Sequence, residues 1–134
     1  MVPHAGAMCL LDAVLRWDAA GIECSALSHL SPDNPLRFEG RLSALCGIEY
    51  AMQAAALHGA LLDGGAQQPA GRIASMRGVT VHADRLDTPG ALHVAATLEH
   101  REAGGLLYSF RVTSAAGHLL AEGRAAISLP KDTA

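Results

Sequence analysis

Residues 44–62 are the most constraining feature of the sequence, because they read as one long helix that is apolar on nearly every face. Ser43 is a suitable N-cap for this helix, and Asp63, Gly64 and Gly65 provide a stop. A helix on the surface of a globular protein usually has one apolar stripe and one polar face. We therefore expect this helix to be covered on almost all sides, which requires a sheet that curls around it and a second sheet that completes the cover.

The segments on either side of the helix are typical of strands. Aliphatic or alternating runs are separated by turns rich in Gly, Pro and Asp, which predicts two strands before the helix and four after it. The expected strands cover residues 10–17, 21–28, 72–84, 92–100, 106–114 and 118–129, and residues 29–41 form a loop. The predicted fold class is α+β, one domain over residues 1–134 with a curved, mostly antiparallel sheet around a central helix. Two such sheets joined edge to edge would remove exposed edges.

Length and charge limit the classes of function. The chain has 134 residues, the size of one domain, and its net charge of −3 gives no electrostatic reason to expect nucleic acid or a membrane surface as partner. Glu49, Gln53 and His58 interrupt the apolar helix, which favours a buried helix over a membrane span. The first residues lack the basic and apolar regions of a secretory signal, which predicts a cytoplasmic protein.

Glu49 is the one carboxylate in the predicted helix and the strongest candidate for chemistry. Gln53 follows four residues later and shares the same helix face. An apolar environment disfavours the charged form of a carboxyl group, which suits a general acid that works near neutral pH. In the alternative interpretation, Glu49 simply faces solvent with Gln53 beside it.

His29 is the leading histidine, because it opens the predicted loop directly after a strand and can act as a base near neutral pH. A solvent-exposed loop histidine fits this position equally well. For His58 we expect a packing or interface role. The histidines lack HxxxH or HxH spacing, so no metal site is predicted. Cys9, Cys24 and Cys46 are expected to be buried thiols, with a nucleophilic role for Cys46 as the minor alternative.

Two segments resemble a known enzyme family. Residues 3–18 (PHAGAMCLLDAVLRWD) are similar to the opening of β-hydroxyacyl-acyl carrier protein dehydratases, where a Pro-His pair leads into an apolar first strand. Residues 29–59 (HLSPDNPLRFEGRLSALCGIEYAMQAAALHG) resemble the hotdog dehydratases of aryl polyene and related pigment gene clusters. That branch carries a similar His-x-x-Pro-x-Asn-Pro-Leu-Arg loop, followed by Gly-Ile-Glu-Tyr-Ala-x-Gln on the helix. The resemblance covers nearly the whole chain.

The resemblance implies a hotdog fold, usually dimeric, with a His/Glu pair contributed by opposite protomers. It also implies dehydration of a 3-hydroxyacyl thioester that an acyl carrier protein presents on its phosphopantetheine arm, with no metal or redox cofactor. In this mechanism the catalytic residues are His29, which would remove the α-proton, and Glu49, which would protonate the departing hydroxyl. The partner would be a second copy or another hotdog subunit.

The same resemblance implies a set of substrate-binding residues. Gln53 would orient Glu49, and backbone NH groups near Cys46 and Gly47 would stabilise the thioester enolate. Gly47 would also let the substrate approach the backbone. Asn34 is included because the Asn-Pro pair that follows His29 belongs to the loop motif.

Two alignments of the loop remain open. One pairs His29 with the family histidine, whereas the other pairs Arg41 with it and leaves the chain without that base. Two rival functions therefore accompany the dehydratase hypothesis. One is an acyl thioesterase that uses the helix carboxylate to activate water, and the other is a non-catalytic or partly catalytic partner subunit of a hotdog heterodimer.

Overall fold

In a computed structural model that describes residues 10–62, 72–102 and 104–128, the described residues form one α-helix and six strands. In chain order the elements are β1 (Ala13–Asp18), β2 (Gly21–Ala26), a 3-10 turn (Ser28–Leu30), a second 3-10 turn (Ala44–Cys46), α1 (Gly47–Leu62), β3 (Arg72–Val81), β4 (Leu92–Glu102), β5 (Gly105–Thr113) and β6 (Leu119–Ser128). Among the described residues, no helix combines the length and the apolar character needed to cross a membrane.

The six strands form a single antiparallel sheet in the order β1-β2-β4-β5-β6-β3, which leaves β1 and β3 as its edges in the described chain. The helix packs against one face of the four inner strands. Buried and partly exposed residues alternate along β2, and its buried residues are Ile22, Cys24 and Ala26. The predicted fold class is thus confirmed.

Small side chains bring α1 close to the sheet. Ala51, Ala54 and Ala55 are fully buried, while Tyr50 and Leu57 fill the larger spaces beside them. Burial of apolar surface contributes roughly 25 cal/mol per Å² and is the main force that holds a helix on a sheet. The low aromatic content of the chain therefore matches its architecture, since the contact is made mostly by aliphatic residues.

His58 forms hydrogen bonds that join the C-terminal half of α1 to β1 and β5. Its ring is fully buried, with Nδ1 2.7 Å from the Tyr108 hydroxyl and Nε2 donating to the Asp18 carbonyl oxygen at 2.7 Å. The two rings also meet edge to face. Burial raises the pKa of Tyr108 to about 12. The packing role predicted for His58 is confirmed.

Within the described chain the sheet leaves part of α1 uncovered, so the expected cover on almost all sides is not reached without a second sheet. One helix face remains open to solvent, although it is mostly apolar. We call this face the open arc, and its residues are Leu45 in the preceding turn and Glu49, Met52, Ala56 and Ala60 in α1. The physical reason is that a single sheet covers only one side of a helix.

Several boundaries also differ from the expected ones, three of them by three residues. The helix begins with a 3-10 turn at Ala44, where the Ser43 hydroxyl accepts from the Leu45 amide at 3.2 Å, and becomes α-helical at Gly47. The first strand begins at Ala13 and not at Leu10, whose amide is bonded to a helix side chain. The third strand ends at Val81, three residues early.

Candidate active site

Asn34 holds the segment between β2 and the helix in place. Its side-chain nitrogen donates to the Ser28 carbonyl oxygen at 2.9 Å and to the Tyr50 hydroxyl at 3.0 Å, and its oxygen accepts from the Leu36 amide at 2.9 Å. The side chain is buried, and its three hydrogen bonds offset the free energy lost when its polar atoms leave water. These contacts shape the loop, and the substrate-binding role of Asn34 stays a prediction.

Arg37 organises the same segment from the other side. Its guanidinium donates to the carbonyl oxygens of Ser31 and His29, each at 2.7 Å, and of Gly40 at 3.2 Å. The fourth contact is an ion pair with Asp87 at 3.1 Å, and both side chains are largely buried. Arginine suits this position because its planar fork presents several donors in fixed directions.

Asp87 connects the loop to the segment that follows β3. Arg85 donates to its carboxylate at 2.9 and 2.8 Å, and together with Arg37 it holds the pKa of Asp87 well below its usual range. Two backbone hydrogen bonds join the same segment to the residues just before the helix. The Leu86 amide donates to the Leu42 carbonyl, and the Ala44 amide donates to the Asp84 carbonyl. No local sequence pattern predicts the Arg37–Asp87 pair, because 50 residues separate its members.

The side chain of His29 is fully buried. Its Nε2 donates to the Thr88 carbonyl oxygen at 2.9 Å, because a carbonyl oxygen can only accept. Nδ1 has no hydrogen-bond partner among the described residues. Burial lowers the pKa of His29, against smaller opposing effects of the Thr88 and Gly90 backbone, and so favours the neutral ring, in which Nδ1 carries a lone pair. The expected alternative of a solvent-exposed loop histidine is wrong.

The segment that accepts the His29 hydrogen bond also lines a cleft. Thr88 and Pro89 line this open cleft of about 560 Å³, together with His82, Ser114 and His118. Thr88 therefore contacts both the ring and the cleft, whereas His29 is not one of the residues that line the cleft. In this conformation a substrate in the cleft would meet Thr88 before it meets His29.

Glu49 projects from the open arc and is half-buried. Its neighbours along the arc are Leu45, Met52 and Ala56, which are apolar. Its negative charge contributes to raising the pKa of the Cys46 thiol, after the larger effect of burial, so the two side chains are close. The carboxylate is therefore set among apolar side chains, but its own chain does not enclose it.

Gln53 points away from solvent and is fully buried. Its side-chain oxygen accepts a hydrogen bond from the Leu10 amide at 2.9 Å, which ties the residues before β1 to the helix. The predicted role of Gln53 in orienting Glu49 stays a prediction.

The amides at the start of the helix are engaged within the 3-10 turn. The Cys46 amide donates to the Ser43 carbonyl at 3.0 Å, and the Gly47 amide donates to the carbonyls of Ala44 and Leu45. The predicted binding of a thioester oxygen by these amides would require those bonds to open.

Cys46 and Gly47 face different surroundings. The Cys46 thiol is half-buried, 3.8 Å from the Leu36 carbonyl oxygen, and its raised pKa disfavours the nucleophilic thiolate. Gly47 turns its free face to the sheet, where Val112 and Ala121 are the nearest strand residues. Cys24 is buried as expected, with its pKa raised by burial to about 11, and Cys9 lies outside the described residues.

Arg41 lies in a tight hairpin that the sequence did not reveal. The backbones of Phe38 and Arg41 exchange two hydrogen bonds, and Glu39 and Gly40 between them both have positive φ angles, of 51° and 74°. This is the geometry of a type I′ turn, in which glycine is favoured and glutamate is unusual. Arg41 is exposed, and Phe38 is 75% exposed.

The architecture defined above is that of a hotdog domain. The dehydratase heterocomplex ApeI:P from Xenorhabdus doucetiae superposes with a TM-score of 0.83 at 20% identity, covering 98% of this chain and 90% of that chain. AziG from S. sahachiroi has a TM-score of 0.67 at 18% identity, covering 90% and 91% of the two chains. A thioesterase enzyme from Staphylococcus aureus has a TM-score of 0.65 at 15% identity, covering 88% and 93%.

The ApeP-like family model, described as ApeP dehydratase, matches residues 1–134, and the chain therefore belongs to this dehydratase family. Among curated proteins, no sequence matches the chain significantly. The resemblance seen in the sequence is thus confirmed at the level of the family and of the fold.

Replacing Asp87 by Asn should lower the free energy of unfolding by about 3 kcal/mol, because the largely buried Arg37 would lose its counter-charge. Chemical denaturation measures this change, and Asp84→Asn, at an exposed position nearby, is the control. Since folding depresses the pKa of Asp87, its contribution is complete above the ordinary aspartate pKa of about 4 and declines as the pH falls further. A difference between wild type and variant that grows on acidification would contradict this assignment.

Replacing Gly47 by Ala should leave turnover intact and raise the free energy of unfolding by up to about 1 kcal/mol. The new methyl group would make ordinary contacts of 3.5–3.6 Å with the sheet and with Leu86. Gly21→Ala is the matched control, because its methyl group would come within 2.6 Å of the Ala96 carbonyl oxygen and should destabilise the fold. Loss of turnover in a stable Gly47→Ala protein would instead indicate that substrate approaches the backbone at this position.

Proposed function

We propose that this chain dehydrates 3-hydroxyacyl thioesters carried by an acyl carrier protein, in polyene synthesis of the aryl polyene type, as one subunit of a two-chain hotdog assembly. Membership of a dehydratase family supports the reaction class. The observation that carries the proposal is the placement of Glu49, the one carboxylate of α1, half-buried on an otherwise apolar and open helix face.

The proposed reaction is a β-elimination. A base removes a proton from the carbon next to the thioester carbonyl, and the hydroxyl group leaves the following carbon as the double bond forms. Glu49 donates a proton to that hydroxyl group, so that water departs and a trans-2-enoyl thioester remains. A carboxyl group held beside the departing hydroxyl can serve as the general acid of such an elimination.

His29 is the proposed base. The Thr88 carbonyl fixes the proton on Nε2, and burial favours the neutral ring, so Nδ1 has the lone pair that proton abstraction requires. Nδ1 also lacks a partner among the described residues. Productive binding would require the Thr88 segment to move, because this segment separates the ring from the adjacent cleft.

A second subunit is proposed to cover the open arc. Its apolar residues, Leu45, Met52 and Ala56, would then be removed from water, and Glu49 would be enclosed. The similarity to a heterocomplex of dehydratase chains supports a partner of the same fold.

A partly catalytic subunit is the second candidate function. In that case this chain provides Glu49, and the base comes from the partner. Two observations favour it: His29 is sealed inside the chain, and Arg41 is exposed at the position that the alternative alignment gives to the family histidine.

Replacing Glu49 by Gln should reduce dehydration by at least about a hundredfold while the fold is retained, because the amide cannot donate a proton as an acid does. The assay supplies the assembled enzyme with a 3-hydroxyacyl carrier protein and follows loss of water by mass spectrometry. Glu99→Gln, at an exposed position on β4, is the control. Full activity of Glu49→Gln would contradict the proposal, and release of the free acid would indicate a thioesterase.

Replacing His29 by Gln in the same assay separates the two candidate functions. A comparable loss of turnover in a folded protein supports His29 as the base, with His100→Gln, at an exposed position on β4, as the control. Retained turnover with His29→Gln, alongside a loss with Glu49→Gln, would assign the base to the partner subunit.

A further inference from the structure

Two arginines of like charge lie directly opposite each other at one edge of the sheet. Arg77 on β3 pairs in register with Arg124 on β6, and both side chains are exposed. Neither forms an ion pair with any residue that the structure describes. Glu122, the nearest acid along β6, is bonded to His82 at 2.9 Å. Like charges directly opposite each other on neighbouring strands are destabilising, so this pair needs an explanation.

The other edge of the sheet shows the opposite arrangement. Arg16 on the edge strand β1 lies opposite Glu23 on β2, and the two side chains form an ion pair. His93 on β4 also binds Glu23, at 2.8 Å. The charge at the β1 edge is therefore neutralised within the chain, whereas the charge at the β3 edge is not.

β3 is the longer of the two edges and can pair with another strand. It has ten residues and is bonded on one side only within the described chain. Ser75, Met76 and Arg77 form its regular middle part, between two irregularities in the pairing with β6. An unpaired row of backbone donors and acceptors is a template for a further strand.

A second copy of this chain would meet a charge conflict at that edge. Paired strands place residues of the same face opposite each other. An antiparallel pairing centred on the regular part of β3 therefore puts Arg77 opposite either Arg77 or Ser75 of the copy. In both registers the arginines at positions 77 and 124 of the two copies gather on neighbouring strands that lie about 4.8 Å apart.

We infer that Arg77 and Arg124 disfavour pairing of this chain with itself at the β3 edge and select a different hotdog subunit that presents a carboxylate opposite Arg77. A repulsive element of this kind is a common device for specificity, because it raises the free energy of the wrong complex. The identity of the partner as a hotdog chain rests on the proposed function, whereas the charge conflict between two copies does not.

The test compares self-association of the wild type with that of a 1:1 mixture of wild type and Arg77→Glu, by sedimentation velocity at low ionic strength without substrate. The mixture should dimerise at least about tenfold more tightly than the wild type alone, because a carboxylate then faces the arginines. The gain should shrink in about 1 M salt, where the charges are screened. Arg101→Glu, on β4 and away from the β3 edge, is the control and should give no gain.

Equal dimerisation constants for the mixture and the wild type would overturn the inference, and so would a mixture that remains monomeric. An equal gain with Arg101→Glu would also overturn it, because the effect would then reflect net charge and not the β3 edge. None of these measurements uses turnover. A failure here therefore leaves the proposed dehydratase function standing, and loss of that function would not affect the result.

Discussion

The packing of α1 on one face of the sheet is the contact on which the rest of the structure depends. Ala51, Ala54 and Ala55 make this contact close, and His58 fixes the C-terminal half of the helix to β1 and β5. A sheet covers only one side of a helix, so the opposite face stays open and carries Glu49. The candidate acid therefore lies on the surface that a single chain cannot bury.

The fold was largely predictable from the sequence, because the apolar run and its flanking strands follow simple periodicities. The apolar pattern predicts cover on almost all sides of the helix, but composition alone does not say which helix faces its own sheet covers and which would need a second sheet. The 3-10 start of the helix was also missed. Ser43 was correctly placed as the cap, but its hydroxyl accepts from a turn that tightens before α1 begins.

The individual residues of the candidate site were predictable from the sequence, whereas the hydrogen bonds and ion pairs that surround them were not. Glu49 and His29 were chosen for their type and position, and the long-range contacts that define their surroundings left no local pattern. Arg37 and Asp87 are 50 residues apart, and the Thr88 carbonyl that fixes the His29 ring is 59 residues from His29. Only the folded chain brings these groups together, so their contacts are seen in the structure and cannot be read from sequence motifs.

The central claim is that a second subunit covers the open arc and encloses Glu49. Met52 lies on that arc beside the carboxylate, and its thioether can be oxidised by dilute peroxide when it is accessible. The most direct measurement is the oxidation rate of Met52, read by peptide mass spectrometry in the isolated chain and in the active dehydratase. The account predicts rapid oxidation in the isolated chain and strong protection in the active enzyme. Equal rates in the two samples would contradict it.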